Sequence, residues 1–285
     1  MRILLFLLTN LAVMAVLLFT TKVLGLDAAM GGNYSSLLLF ALIFGMGGSF
    51  ISLLLSKWMA KRSMGVHIID PQNFNNSDER WLYTRVEAIS QSAGIQTPEV
   101  GMYEGAPNAF ATGWNKNDAL VAVSSGLMQV MSQDEIEGVL AHEIGHVANG
   151  DMVTLSLIQG VVNTLVIFLA RVVGGIIDKA VFKNREGNGI AYYATVFIAE
   201  MVLGILASII VMWFSRFREY RADEASAQLV GTNKMVAALK KLQNLKENPA
   251  LPKEMAAFGI NGNSLMSLLS SHPPLQKRID NLLKF

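Results

Sequence analysis

Cysteine is missing from this 285-residue chain. Disulfides and thiolate metal ligands are thereby excluded, and any metal must be held by histidine and carboxylate. Charge is scarce: Asp, Glu, Lys and Arg make up 16% of the residues, against about 25% in a soluble domain. The formal net charge is +1, and the short basic runs flank apolar blocks, which suits lipid headgroups better than a phosphodiester backbone. Nucleic acid is not an expected partner. No Gly-x-x-x-x-Gly-Lys-Ser/Thr string occurs, so nucleotide is not expected either.

The excess is hydrophobic: 52% of the residues, with a mean hydropathy of +0.39, gathered in blocks. Ile3 to Thr21, Leu37 to Leu55 and Met152 to Ala170 carry no charge, and Ile190 to Phe214 is interrupted only by Glu200. Each is close to or above the roughly 20 residues that cross a bilayer as a helix. An integral membrane protein with four apolar helical segments is expected. Only Arg2 precedes the first block and no clear small-x-small cleavage site follows before Asp27, so the first two blocks read as a retained hairpin. Gly31-Gly32-Asn33 would turn it. Gly45, Gly47, Gly48 and Ser49 give its second helix a small-residue face for close packing, and Trp58 and Trp213 sit where interfacial anchors do.

Between and after these blocks the chain is polar. A helix is expected over Asp78 to Gln91, then strands over Glu99 to Tyr103, Asn108 to Trp114 and Ala119 to Ser124, with a hairpin turn at Asn115-Lys116-Asn117-Asp118. Further helices are expected over Ser215 to Gly231, Lys234 to Lys246 and from Pro273 onward. The fold class is α+β: four apolar helical segments, and a mainly helical domain with a small β-sheet. The natural divisions are 1–62, 63–151, 152–214 and 215–285.

The string His142-Glu143-Ile144-Gly145-His146 uses two of only four histidines. Residues at i and i+4 project from one helix face, so His142 and His146 can offer two imidazole nitrogens to one zinc ion. Glu143 then lies beside the open coordination position. A helix is well signalled there. Ser132 and Glu135 form a capping box, Asp134 favours the positive dipole end, Ile136, Val139, Leu140 and Ile144 make an apolar stripe, and Asn149-Gly150 is a stop. The bland alternative is two histidines in ordinary polar contacts.

A catalytic zinc needs a third protein ligand. His67, His272 and an acidic residue are the candidates. Glu219 and Asp223, at i and i+4, share one helical face. One can bind metal while the other accepts a hydrogen bond from a ligand histidine's second nitrogen; a solvated charged helix, with Glu219 paired to nearby arginines, is the alternative. Glu200 reads as a polar contact between helices, and His67 as a surface loop residue.

Taken together, His142-Glu143-x-x-His146, Glu219-x-x-x-Asp223, Asn108-Ala109-Phe110-Ala111-Thr112-Gly113 and His272-Pro273-Pro274 resemble the HtpX/Ste24 family of membrane zinc endopeptidases. The resemblance covers essentially the full length and is closest to the bacterial branch. It implies one Zn2+ per chain, with Glu219 as third ligand, Asp223 hydrogen-bonding a ligand histidine and Glu143 as general base. His272 becomes either the donor to the developing oxyanion or a fourth ligand in the resting state, with Arg278 holding His272 or the intermediate. Asn108, Ala109 and Phe110 become part of a substrate-docking edge strand. Residues 63–151 and 215–285 become the two parts of a peptidase domain. The resemblance also implies quality control of membrane and membrane-adjacent proteins in the bacterial inner membrane under stress, overlapping with the ATP-dependent membrane protease FtsH.

Charge decides orientation only in part. Lys57, Lys61 and Arg62, and Arg216, Arg218 and Arg221, argue for a site facing the cytosol. Arg171, Lys179, Lys183 and Arg185, between the third and fourth blocks, argue the other way. Two other functions compete with an endopeptidase: a non-catalytic membrane scaffold with a structural zinc, and a metal transporter, which would need ionisable residues spread through the apolar blocks.

Overall fold

The computed structural model describes residues 34–182, 189–247 and 270–285. The expected span Ile3 to Thr21 and the Gly31-Gly32-Asn33 turn lie outside them. Among the described residues, three helices are long and apolar enough to cross a membrane. They are α1 (Tyr34–Ser63), α5 (Asp151–Ala180) and α6 (Ile190–Val230). Between α1 and α5 lie β1 (His67–Ile68), α2 (Ser77–Ser92), β2 (Glu99–Tyr103), β3 (Ala109–Asn115), β4 (Asp118–Ser124), α3 (Ser125–Val130) and α4 (Gln133–Asn149). After α6 come α7 (Thr232–Glu247) and α8 (Leu275–Leu282).

The chain forms two compact units. One takes the described residues up to Ser52 and Leu155–Val211; the other takes Leu53–Thr154 and Met212–Phe285. In the first, α1 meets α5 through Leu38, Ala41, Phe168 and Val172. Phe44, Ile51, Ile198 and Ile205 are exposed, as suits a surface solvated by lipid rather than water. The small-residue face of α1 is used in part. A Cβ on Gly45 would lie 2.5 Å from the Thr164 hydroxyl oxygen, and Ser156 Oγ donates to the Ser49 carbonyl at 2.9 Å, whereas Gly47 and Gly48 face open space.

One expectation for this unit changes. Arg171 and Lys179 are helical rather than in a loop, because α5 continues beyond Ala170 to Ala180. Arg171 can stay inside because its Nη1 donates to Glu200 on α6 at 2.8 Å and its guanidinium stacks over Phe40. That pairing is the polar contact expected of Glu200. Lys183 and Arg185 lie outside the described residues.

The second unit holds a four-stranded sheet in the order β1-β2-β4-β3. β2 and β4 are parallel, with Glu99 opposite Leu120 and Tyr103 opposite Ser124. Among the described residues β3 pairs only with β4, antiparallel, through the tight turn expected at Asn115 to Asp118, and is the edge strand of that sheet. β1 was not foreseen. It places His67 opposite Met102 on the far edge, where a two-residue strand is too short for any sequence period to reveal.

Val100, Val121 and Val123 from the sheet, Leu82, Val86 and Ile89 from α2, and Ile136, Leu140 and Ile144 from α4 form one buried core. α4 thus sits on the sheet with its apolar stripe inward. Its opposite side meets α6 and α7 through glycines. A Cβ on Gly138 would lie 2.7 Å from the Lys234 carbonyl, and the Gly145 position is 3.0 Å from Ala225 Cβ. Bulkier residues there would push α6, and the carboxylates it carries, away from the two histidines.

Candidate metal centre

α4 is capped as its sequence demands. Ser132 Oγ accepts from the Glu135 N–H, and the Glu135 carboxylate accepts from the Ser132 N–H. At the other end Gly150 adopts φ 62° and donates to the carbonyls of His146 and Val147, a left-handed stop that suits glycine. The chain turns there at once into α5, whose first residue is Asp151.

The α4 histidines and Glu219 of α6 converge. A ligand atom from each of His142, His146 and Glu219 lies within 4.8 Å of the other two. His142 Nε2 is 3.4 Å from Glu219 Oε2, and His146 Nε2 is 3.3 Å from Oε1. A tetrahedral zinc site with bonds of about 2.0–2.1 Å has edges of about 3.3–3.4 Å, the separation at which each histidine meets one of the two Glu219 oxygens. Glu219 is 2% exposed. Its Oε2 makes no well-directed hydrogen bond, although His272 Nδ1 and Arg278 Nη1 lie 2.8 and 3.1 Å away. A buried carboxylate oxygen left without such a bond is what a metal ligand looks like before the metal is considered.

Each histidine gives its other nitrogen to an aspartate. His142 Nδ1 is 3.0 Å from Asp223 Oδ1, and His146 Nδ1 is 2.7 Å from Asp151 Oδ2. These contacts fix both rings with Nε2 towards Glu219. Burial opposes protonation of both rings, but the carboxylates outweigh it. Asp223 and Glu219 hold His142 above its usual range, and Asp151 and Glu219 raise His146 to about 9. Behind Asp223 stands Arg278, which donates from Nε at 2.8 Å and from Nη2 at 2.6 Å. Of the three buried carboxylates here, Glu219 and Asp223 contact the Arg278 guanidinium, whereas Asp151 contacts His146 and makes no ion pair with an arginine among the described residues. The two negative charges left over are what a divalent cation balances.

The donors open onto a cleft of about 410 Å³. Glu143 lines it beside His142 and His146, with Asn108, Ala109, Phe110 and Ala111 of the β3 edge and apolar side chains from α5, α7 and α8. The Asn108 N–H donates to Ser124 Oγ at 2.8 Å and its carbonyl accepts from the Ser124 N–H, which pins the start of that edge. Val139, part of the expected apolar stripe, packs against the core margin and also lines the cleft.

The structure therefore brings His142, Glu143, His146, Glu219, Asp223, His272, Arg278 and Asn108 to Phe110 around one cleft. His67 is not among them; its Nε2 lies 3.7 Å from Glu79 and 3.4 Å from the Asn75 amide. Arg278 binds Asp223 and leans on Glu219. Asp151 was not anticipated. It follows His146 by five positions, where helical face rules give no signal because Gly150 has already turned the chain.

Comparison with known proteins adds a separate line. Residues 76–285 match the family described as Peptidase family M48. Protease HtpX of Ectopseudomonas mendocina (strain ymp) is 57% identical over 99% of this chain and 98% of its own length. Protease HtpX of Pseudomonas putida (strain GB-1) is 56% identical over 99% and 98%. The crystal structure of S. mikatae Ste24p shares the fold with a TM-score of 0.59 at 21% identity, covering 93% of this chain and 66% of that one.

Proposed function

This chain belongs to peptidase family M48 and is a metallopeptidase, and from that premise we propose that it is a membrane-bound zinc endopeptidase cutting misfolded or damaged membrane and membrane-adjacent proteins. The observation that carries the reading is the pairing of a three-donor metal site with a cleft walled by a sheet edge. A structural zinc is usually closed by four protein ligands; here three donors group together among the described residues, and the side facing the cleft holds Glu143.

Zinc held by His142, His146 and Glu219 supplies a water acidified towards a pKa of about 7 and a Lewis acid for the scissile carbonyl. Glu143 takes the water proton as general base and delivers it to the leaving amine. His272, 45% exposed along its side chain with Nδ1 directed at Glu219, donates from its other nitrogen to the carbonyl oxygen as that oxygen gains charge. An extended peptide pairs with the outer edge of β3 at Asn108 to Phe110, using main-chain hydrogen bonds that tolerate many sequences. The membrane helices hold this chemistry close to membrane substrates, with the site on the cytosolic side of a bacterial inner membrane and activity overlapping that of FtsH.

Glu143→Gln should abolish cleavage of casein in detergent while the protein keeps one zinc, and proteolysis by a fully loaded variant would remove Glu143 from its role. Glu219→Ala should lose both zinc and activity; retained stoichiometric zinc would reassign the third ligand. Single cysteines at Asn117 and Asp27 should react oppositely with an impermeant thiol reagent in intact cells, and equal labelling would overturn the orientation. Proteomic comparison of membranes carrying wild type or Glu143→Ala identifies the substrates.

A further inference from the structure

Two arginines line the cleft, Arg218 and Arg278. Arg278 is committed to Asp223 and Glu219. Arg218 is not committed. Its Nη2 reaches Ser215 Oγ, one turn back on its own helix, at 3.3 Å, and its Nε is buried with no partner among the described residues. Asp151, Glu219 and Glu143 are its charged neighbours, yet it forms no ion pair with any of them among the described residues. A charged donor withheld from water and left unsatisfied is costly. Much of the cleft wall cannot satisfy it, since Leu127, Val139, Met152, Met235, Leu242 and Leu275 carry no side-chain oxygen, and the carboxylates of Glu143 and Glu219 on that wall make no ion pair with it among the described residues. An acceptor brought by the occupant completes it.

We infer that Arg218 is a substrate-binding residue whose guanidinium takes a main-chain carbonyl oxygen of the bound peptide. The inference rests on the proteolytic reading above. Charge selects a carbonyl over an acidic side chain. Glu143, Asp151, Glu219 and Asp223 are balanced by Arg218, Arg278 and a divalent ion, so a further carboxylate would leave the cleft negative and a carbonyl would not. A peptide extended along β3 presents carbonyls at every residue, whatever its side chains. Arg218 directly precedes Glu219 on α6, so a carbonyl held there is registered against the metal ligand itself.

The test uses the full-length, zinc-loaded Glu143→Gln protein in detergent and fluorescein-labelled decapeptides read by anisotropy. One peptide is neutral, and a matched set carries a single Asp or Glu at successive positions. Adding Arg218→Gln should weaken binding of neutral and acidic peptides alike, by roughly 10- to 100-fold for one charge-assisted hydrogen bond, with zinc content unchanged. Arg218→Lys keeps the charge but lacks Nε and the planar fork, so it should recover only a minor part of the affinity. Undiminished binding by Arg218→Gln, full recovery by Arg218→Lys, or parallel loss of zinc in both variants would make Arg218 a counter-charge for Asp151 and overturn the inference. A loss confined to acidic peptides would overturn the carbonyl assignment. If the parent Glu143→Gln protein binds no peptide while zinc-loaded, the proteolytic reading falls and this inference with it.

Discussion

His142 and His146 each hand Nδ1 to an aspartate, yet the two aspartates are held in unlike ways. Asp223 is fully buried and gripped through both its oxygens by the Nε–Nη2 edge of the Arg278 guanidinium. Asp151 is also buried, but it stands at the first residue of α5 with Arg218 near it and no ion pair between them among the described residues. One arm is neutralised inside the protein, and the other keeps its cation for the cleft. Rigidity is concentrated on the His142 arm, where a bidentate pair restrains geometry most strongly. Both guanidiniums line the cleft, and the unspent donor is that of Arg218.

Removing Arg278 should have the largest effect. Arg278→Met leaves Asp223 and Glu219 as buried carboxylates without their guanidinium, which should cost about 3–5 kcal/mol of stability, read by denaturant unfolding of the metal-free protein in detergent. Arg218→Gln should cost far less in the same assay, and equal losses would erase the contrast between the arms.

Next comes Asp151→Ala, expected to weaken zinc binding by roughly 10- to 100-fold with the fold kept, measured by chelator competition. Asp223→Ala should weaken zinc and also destabilise the protein, because Arg278 is left without its partner. If Asp151→Ala binds zinc as tightly as wild type, the His146 arm does not need its aspartate.

A further effect is one of pH. Without metal, His146 is raised from 6.5 to about 9. A raised value means that the protonated ring stabilises the metal-free protein fully below about 6.5, and that this stabilisation is lost as pH climbs through about 9. Zinc must displace that proton, so its affinity should rise by about tenfold per pH unit between those limits. Asp151→Asn, which removes a cause of the raised value, should flatten the slope. Zinc affinity equal at pH 6.5 and 8.5 in the wild type would show that His146 carries no such proton.

Much of the site was legible because it is local. The i, i+4 spacing of His142 and His146, the Ser132–Glu135 box and the Gly150 stop are all set within a few residues, and each stands as expected. The strands and their hairpin turn were legible for the same reason. The break expected near Ser215 does not occur: α6 runs unbroken through Ile190–Val230. The change there from apolar to polar sequence alters the preferred solvent, and no proline or glycine interrupts the backbone.

By itself the sequence determined the motif helix, the apolar helices and the residue types from which a metal site could be assembled. Helix periodicity, capping and hydropathy act over one to a few turns. Tertiary structure decided which carboxylate each histidine would hold, that Arg278 would be spent on Asp223 from 55 residues away, and that Arg218 would be left over. Those outcomes depend on close approach of α4 to α7 and α6 at Gly138 and Gly145, and on the core that α8 shares with α6 and α7. Charges choose partners only after burial has removed water as the alternative.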